Sequence, residues 1–236
     1  MANPRYRCIA FDAVGTLITP VPSAGEVYYQ TARRFGSRLA ADEIARRFKQ
    51  AFRDSERDDA AAAAEAKLMT SEQREHECWR CIVARVIDDI PDTVNCFDQL
   101  FSHFAQPDSW RCFDDVSEVL TRLEEEGYSL AVASNFDRRL HAVCDGFPVL
   151  QKIEVRVISS EVGVRKPGRG FFAALVAQAG CDAKEVLMVG DDFANDVAGA
   201  RQAGLGAVLL NRRGLADPDQ RNPAEIGSLS ELFGLL

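Results

Sequence analysis

Five short runs in the 236-residue chain are almost uninterrupted apolar sequence: Cys8-Ile9-Ala10-Phe11, Leu130-Ala131-Val132-Ala133, Val155–Ile158, Val186-Leu187-Met188-Val189 and Ala207-Val208-Leu209-Leu210. A strand with one face in water alternates apolar and polar residues, so runs without that alternation predict parallel strands covered on both faces. Between them, residues 115–125, 137–144, 170–179 and 194–203 have the apolar spacing of amphipathic helices. Strand and helix in alternation predict an α/β fold with a doubly wound, mostly parallel sheet.

The stretch from Pro22 to Trp110 breaks this rhythm and carries helical signals almost throughout. Ser23 stands three residues before Glu26, the spacing of a capping box; Asp42 opens a segment with Ile44, Phe48, Ala51 and Phe52 at helical spacing; Ser71 precedes another. Residues 58–68, with alanine at every position from 60 to 64, have high helix propensity and predict a helix or a helix and loop. The expected organisation is a discontinuous core, residues 1–20 and 111–236, interrupted after its first strand by an all-helical cap of residues 21–110.

Composition narrows the partners. Lys and Arg total 28 against 36 Asp and Glu, a formal net charge of -8, which is the wrong sign for a protein whose main partner is a polyphosphate backbone, so nucleic acid is excluded as the principal ligand. No run approaches the roughly 18 apolar residues of a membrane helix, and residues 1–7 are polar and lead directly into a strand, so no membrane partner and a cytoplasmic location are expected. The seven cysteines are scattered, mostly within apolar runs, as reduced thiols used as small hydrophobes are. Only Cys78-Trp79-Arg80-Cys81 has redox or zinc spacing; it falls in a helical pattern with no second pair, and a half-buried helix face is expected.

Ligands of open α/β sheets bind beyond the carboxyl ends of the strands. There the sequence places Asp12 after the first strand, Ser134-Asn135 after the second, Ser159-Ser160-Glu161 after the third and Gly190-Asp191-Asp192 after the fourth, with Lys166 in the loop after the third and Asp196 in the first turn of the next helix. If these residues converge, Asp12, Asp191, Asp192 and Asp196 face one cation, Lys166. Two like charges about 4 Å apart repel by roughly 4 kcal/mol at an effective dielectric near 20, so such a cluster takes up protons or binds a cation. Mg²⁺ suits a few carboxylates together with water and a substrate phosphate. Ser134, Asn135, Lys166 and the Gly15-Thr16 turn offer the donors that phosphoryl oxygens require. An Asp with no His or Cys partner can itself be the nucleophile and form an acyl phosphate. Strand-end carboxylates also cap helices, and Asp191-Asp192 could cap the one starting near Ala194.

Phe11-Asp12-Ala13-Val14-Gly15-Thr16-Leu17, Ala133-Ser134-Asn135, Val164-Arg165-Lys166-Pro167 and Val189-Gly190-Asp191-Asp192 with Asp196 resemble, in order, the four motifs of haloacid dehalogenase-like (HAD) hydrolases. Residues 131–140, with Ala24-Gly25-Glu26-Val27-Tyr28, most resemble the haloacid dehalogenase-like hydrolase domain-containing protein 3 group. The resemblance implies a Rossmann-like core with a helical cap, Mg²⁺ as cofactor and a small phosphorylated molecule as substrate, and it leaves monomer and homodimer both open. It implies Asp12 as nucleophile and metal ligand, Val14 as a ligand through its carbonyl, Asp191 as the main further ligand and Asp192 as a second choice. Ser134 and Lys166 would hold the transferring group, and Asp196 would orient Lys166 or a water on the metal. Asn135 would orient the nucleophile loop or contact substrate. One position departs from the pattern: family phosphatases usually carry an acid/base Asp two residues after the nucleophile, where this chain has Val14. The 2-haloacid dehalogenases also lack that Asp and need no metal, but their fourth motif lacks the added acidic pair. The expected activity is therefore a Mg²⁺-dependent phosphatase, with a dehalogenase-type hydrolase or a catalytically weak phosphate and Mg²⁺ binder as alternatives.

Overall fold

The computed structural model describes residues 5–60, 68–212, 214 and 225–236. Numbered along the chain, the strands are β1 (Cys8–Phe11), β2 (Ile18–Pro20), β3 (Trp110–Cys112), β4 (Ser129–Ser134), β5 (Val155–Ile158), β6 (Val186–Gly190), β7 (Gly206–Leu210) and β8 (Glu225–Ile226). Six of them form one sheet in the order β5-β4-β1-β6-β7-β8, and every pairing in it is parallel. The uninterrupted apolar runs have the physical cause expected of them. Side chains alternate across a strand, so Ile9 and Phe11 enter one apolar layer with Val132, Val189 and Leu120, while Cys8 and Ala10 enter the opposite layer with Ala131, Met188 and Phe172. The helices behind these layers are α5 (Val116–Glu125), α6 (Arg139–Asp145), α7 (Pro148–Gln151), α8 (Ser159–Val162), α9 (Arg169–Ala179) and α10 (Gly199–Gln202).

Helices α1 (Ala24–Arg34), α2 (Ala41–Ala60), α3 (Glu72–Val86) and α4 (Thr93–His103) make up the insertion. They enclose a separate core that includes Val27, Ile44, Val83, Phe97 and Leu100. Their starts are set locally: Ser23 Oγ accepts the Glu26 N–H at 3.4 Å, Ser71 Oγ that of Arg74 at 3.2 Å, and Asp92 Oδ1 that of Asn95 at 3.0 Å. Residues 61–67, most of the alanine-rich stretch, lie outside the described residues. The chain leaves and re-enters the core through an antiparallel ribbon of β2 and β3, with Thr19 opposite Arg111. A second attachment lies beside α3. Arg165 N–H donates to Leu68 O at 2.8 Å and Thr70 N–H to Gly163 O at 3.0 Å, while Glu72 accepts from the Ser160 hydroxyl and from Arg138 N–H at 3.0 Å. Among the described residues no helix is long and apolar enough to cross a membrane.

The helix expected over 194–203 opens differently from the sequence pattern. Asp192 O accepts from both Asp196 N–H at 2.9 Å and Val197 N–H at 3.4 Å, so Phe193–Ala198 form a widened turn before α10 begins. Asp115, at the expected start of α5, makes no side-chain cap there. Its carboxylate instead holds two distant segments, accepting from Arg212 at 2.9 and 3.0 Å and, farther on, from Ser228 Oγ at 3.0 Å and Leu229 N–H at 2.8 Å. Burial alone would raise the Asp115 pKa, but these donors outweigh it and hold the carboxyl below its ordinary value. A depressed carboxylate contributes stability above its unfolded pKa and loses it as pH falls through the folded one. Asp115→Asn is therefore expected to cost about 2 kcal/mol near neutral pH, a Tm loss of about 4–8 °C by thermal denaturation, shrinking toward pH 3.

Candidate active site

β1 is the point where the chain changes direction: β4 and β5 lie on one side of it and β6, β7 and β8 on the other. The crevice that such a reversal leaves opens at the strands' carboxyl ends. Phe11 pairs with Val132 and with Val189, so the residues just beyond, Asp12, Ser134 and Asp191, come to one edge. Asp12 is anchored by its N–H on Val189 O at 2.9 Å.

Lys166 reaches this edge from the loop between α8 and α9. Its Nζ donates to Asp12 Oδ1 at 2.7 Å, Asp196 Oδ1 at 2.6 Å and Ala133 O at 2.8 Å, and its side chain is only 2% exposed. Burial would lower its pKa, but Asp12 and Asp196 more than reverse this and keep it protonated. Ser134 Oγ donates to the same Asp12 Oδ1 at 3.0 Å. Burial lifts the Asp196 carboxyl, against the pull of Lys166. Burial pushes Asp191 up to about 7, and the negative charges of Asp12 and Asp196 add to the rise.

Two glycines permit this crowding. Gly15 has φ +92°, and a Cβ there would stand 2.3 Å from Asp191 Oδ2; a Cβ on Gly190 would stand 2.1 Å from Asp196 Oδ2. Asp12, Asp191 and Asp196 thereby each bring one carboxylate oxygen within 4.8 Å of the others. Three hard anionic donors against one ammonium fit Mg²⁺ in ligand type and in charge.

Of the other residues named from the sequence, some take the expected place and some a different one. Asp192 lies outside this trio: its Oδ1 accepts from Ala194 N–H at 2.8 Å and Asn195 N–H at 2.9 Å, and its Oδ2 from the Asn195 side chain at 2.9 Å, so the cap role holds its carboxylate. Gly15 lines the pocket, but its N–H bonds to Ile18 O at 2.9 Å instead of facing an anion. Thr16 is fully buried behind the loop. Asn135 lines the pocket, the position its expected contact with substrate requires, and its amide clamps the Lys166 loop instead of the nucleophile loop: it accepts Lys166 N–H at 2.7 Å and donates to Lys166 O at 3.1 Å. Asp196 orients Lys166 directly, through the 2.6 Å contact with its Nζ. Val14 lines the pocket with 36% of its surface exposed. Cys78 is half-buried, with Sγ 3.1 Å from Ser55 Oγ, and Cys81 is exposed on the same helix.

The pocket above this floor measures about 500 Å³ and is roofed by the helical insertion. Sequence reasoning missed most of that roof. Phe48 and Phe52 were expected only as helix-face residues and Phe97, Phe101 and Arg139 carried no expected role, yet all five line the pocket. The i, i+4 pairs Phe48/Phe52 and Phe97/Phe101 were the available signal.

Comparison with known proteins gives a consistent kinship. The chain is 25% identical over 217 residues to the haloacid dehalogenase-like hydrolase domain-containing protein 3 of Danio rerio, covering 88% of this chain and 86% of that one. It is 31% identical over 111 residues, 47% of this chain and 44% of the relative, to the ribulose-1,5-bisphosphate 5-phosphatase of Halopiger xanaduensis. Its fold matches the HAD-hydrolase YfnB from Bacillus subtilis, solved bound to magnesium, with a TM-score of 0.74 at 18% identity over 99% of both chains. The family model for haloacid dehalogenase-like hydrolase matches residues 6–204, which contain both the acidic edge and the helical roof, and the chain belongs to that family of hydrolases.

Proposed function

We propose that this hydrolase is a Mg²⁺-dependent phosphomonoesterase that works through an aspartyl-phosphate on Asp12. The observation that carries the reading is the trio of Asp12, Asp191 and Asp196 beside the buried Lys166. Asp12, Asp191 and Asp196 would hold the ion, with the Val14 carbonyl as a further oxygen. Bound Mg²⁺ would offset the clustered negative charge so that a phosphate can approach. Asp12 attacks phosphorus through a carboxylate oxygen; the P–O bond to the ester oxygen breaks, and the alcohol departs with a proton taken from water. Lys166 and Ser134, already on Asp12 Oδ1, fix the carboxylate and present donors to the phosphoryl oxygens. Water then attacks phosphorus, releasing inorganic phosphate and restoring Asp12. The partial similarity to a bisphosphate phosphatase supports phosphoryl chemistry, and seven free cysteines support a cytoplasmic setting.

Calorimetry should detect Mg²⁺ binding. At 100 times Kd, linkage adds about 2.7 kcal/mol of stability, which raises Tm by about 5–10 °C. Asp191→Asn should remove most of that rise, and EDTA should abolish phosphatase activity. A second reading is favoured by the apolar Val14 in the pocket: hydrolysis of a carbon–halogen bond on Asp12, whose halide leaves without a proton. EDTA-insensitive release of chloride from 2-chloropropionate, with no Mg²⁺ binding, would establish that reading in place of ours. Mg²⁺ and phosphate binding without any turnover would leave a binding protein.

A further inference from the structure

The pocket has two chemically distinct halves. Its floor holds the charged residues of the reaction, whereas its roof is a continuous belt of rings. Centroids run from Trp79 to Phe52 at 6.1 Å, on to Phe48 at 6.2 Å, Tyr28 at 4.8 Å, Phe104 at 6.4 Å and Trp110 at 5.8 Å. All six rings line the pocket. Phe52 keeps 36% of its surface exposed, so its apolar face is open to a ligand.

The cations of the upper wall are engaged within the protein. Arg139 donates from Nε and Nη2 to Asp137 at 2.7 Å, from Nη1 to Phe101 O at 3.1 Å, and lies 3.6 Å over the Phe101 ring. Arg165 Nε stands 3.6 Å from Glu75, itself a pocket-lining carboxylate. A second phosphate or carboxylate on the substrate would therefore meet paired guanidiniums and the Glu75 charge. A polyol would meet rings; Ser55, the hydroxyl near the far end of the belt, already faces Cys78 at 3.1 Å. Hydroxyl groups buried against the rings lose more water partners than they regain from the few polar groups beside them, Thr19 and Glu75 among these, whereas an apolar body loses only unfavourable hydration.

We infer that the substrates are phosphomonoesters of an apolar, ring-bearing alcohol, with the phosphate on the acidic floor and the organic body against the aromatic belt. A volume of about 500 Å³ accommodates such a molecule. The inference rests on the phosphatase reading for its phosphate end alone.

The test compares 2-phenylethyl phosphate with glycerol 3-phosphate at saturating Mg²⁺. Both leave as alkyl alcohols that need a proton, so their ratio reports the pocket and not the leaving group. A kcat/KM ratio of about 100 is expected in favour of the phenylethyl ester, the scale on which apolar pockets discriminate. Phe52→Ser should cut that ratio about tenfold. In parallel, calorimetry measures binding of the non-hydrolysable phosphonates of both alcohols. A ratio near or below 1 with good turnover overturns the inference and leaves the phosphatase reading standing. No turnover of either ester or of nitrophenyl phosphate, whose leaving group needs no proton, with the phenylethyl phosphonate bound at least tenfold tighter, retains the inference about the pocket and overturns the phosphatase reading. No turnover and no selective binding overturns both.

Discussion

Asp12→Asn should lower turnover of an aryl phosphate by at least about 10⁴-fold while the protein stays folded. The amide is close in shape to the carboxylate but cannot attack phosphorus. Two opposing electrostatic effects limit the change in stability. Losing the Asp12 charge removes one partner of Lys166, which keeps Asp196 at 2.6 Å and Ala133 O at 2.8 Å. It also relieves the repulsion that adds to the burial-driven rise of the Asp191 carboxyl. Circular dichroism should show a native fold with Tm within a few degrees of wild type. Turnover near the wild-type rate in a stable variant, with mass spectrometry showing no deamidation back to Asp, would remove Asp12 from the nucleophile role.

The second large effect concerns the leaving group. Departure of an alkoxide needs a proton, and general-acid help is typically worth 10²- to 10⁴-fold. Val14 has no proton to give, although it stands in the pocket two residues from Asp12. Nitrophenyl phosphate, whose phenolate is stable, should therefore be hydrolysed faster than any alkyl ester of comparable fit. A plot of log(kcat/KM) against leaving-group pKa should fall steeply. Val14→Asp should flatten that plot and accelerate alkyl esters by about 10²-fold, since the half-exposed position admits a carboxyl group without repacking. The native enzyme should also show a burst followed by slow turnover, because the water that attacks the aspartyl-phosphate lacks the same base. A shallow slope with fast, burst-free alkyl turnover would mean that another group supplies the proton.

The core was legible in the sequence for a simple physical reason. Strands buried on both faces need apolar residues at every position, and the residues just past each strand's carboxyl end are exposed to the crevice. Hence Asp12, Ser134 and Asp191 could be placed at the strand ends from the chain alone, whereas Lys166 and Asp196, farther along the chain from their strands, joined them through the resemblance to the family motifs. The fates of Asp192, Gly15 and Thr16 could not. Asp192 was open to both a cap and a metal role, and the widened turn from Phe193 to Ala198 decided for the cap by presenting two N–H groups to one of its oxygens. The Gly15 turn closes on Ile18, a bond set by how β2 leaves the loop. The roof was least legible. Helical spacing shows that Phe48 and Phe52 share a face, but the orientation of that face depends on the β2–β3 ribbon and the Leu68–Thr70 attachment, neither of which leaves a periodic trace.

The aromatic belt also makes the protein its own optical probe. The chain has two tryptophans, and both Trp79 and Trp110 belong to the pocket wall, one on the helical roof and the other on the ribbon joining roof to core. All indole emission thus originates at the chamber. Filling it changes the polarity around both emitters at once, so ligand entry is readable in unlabelled protein from the wavelength and intensity of its intrinsic fluorescence.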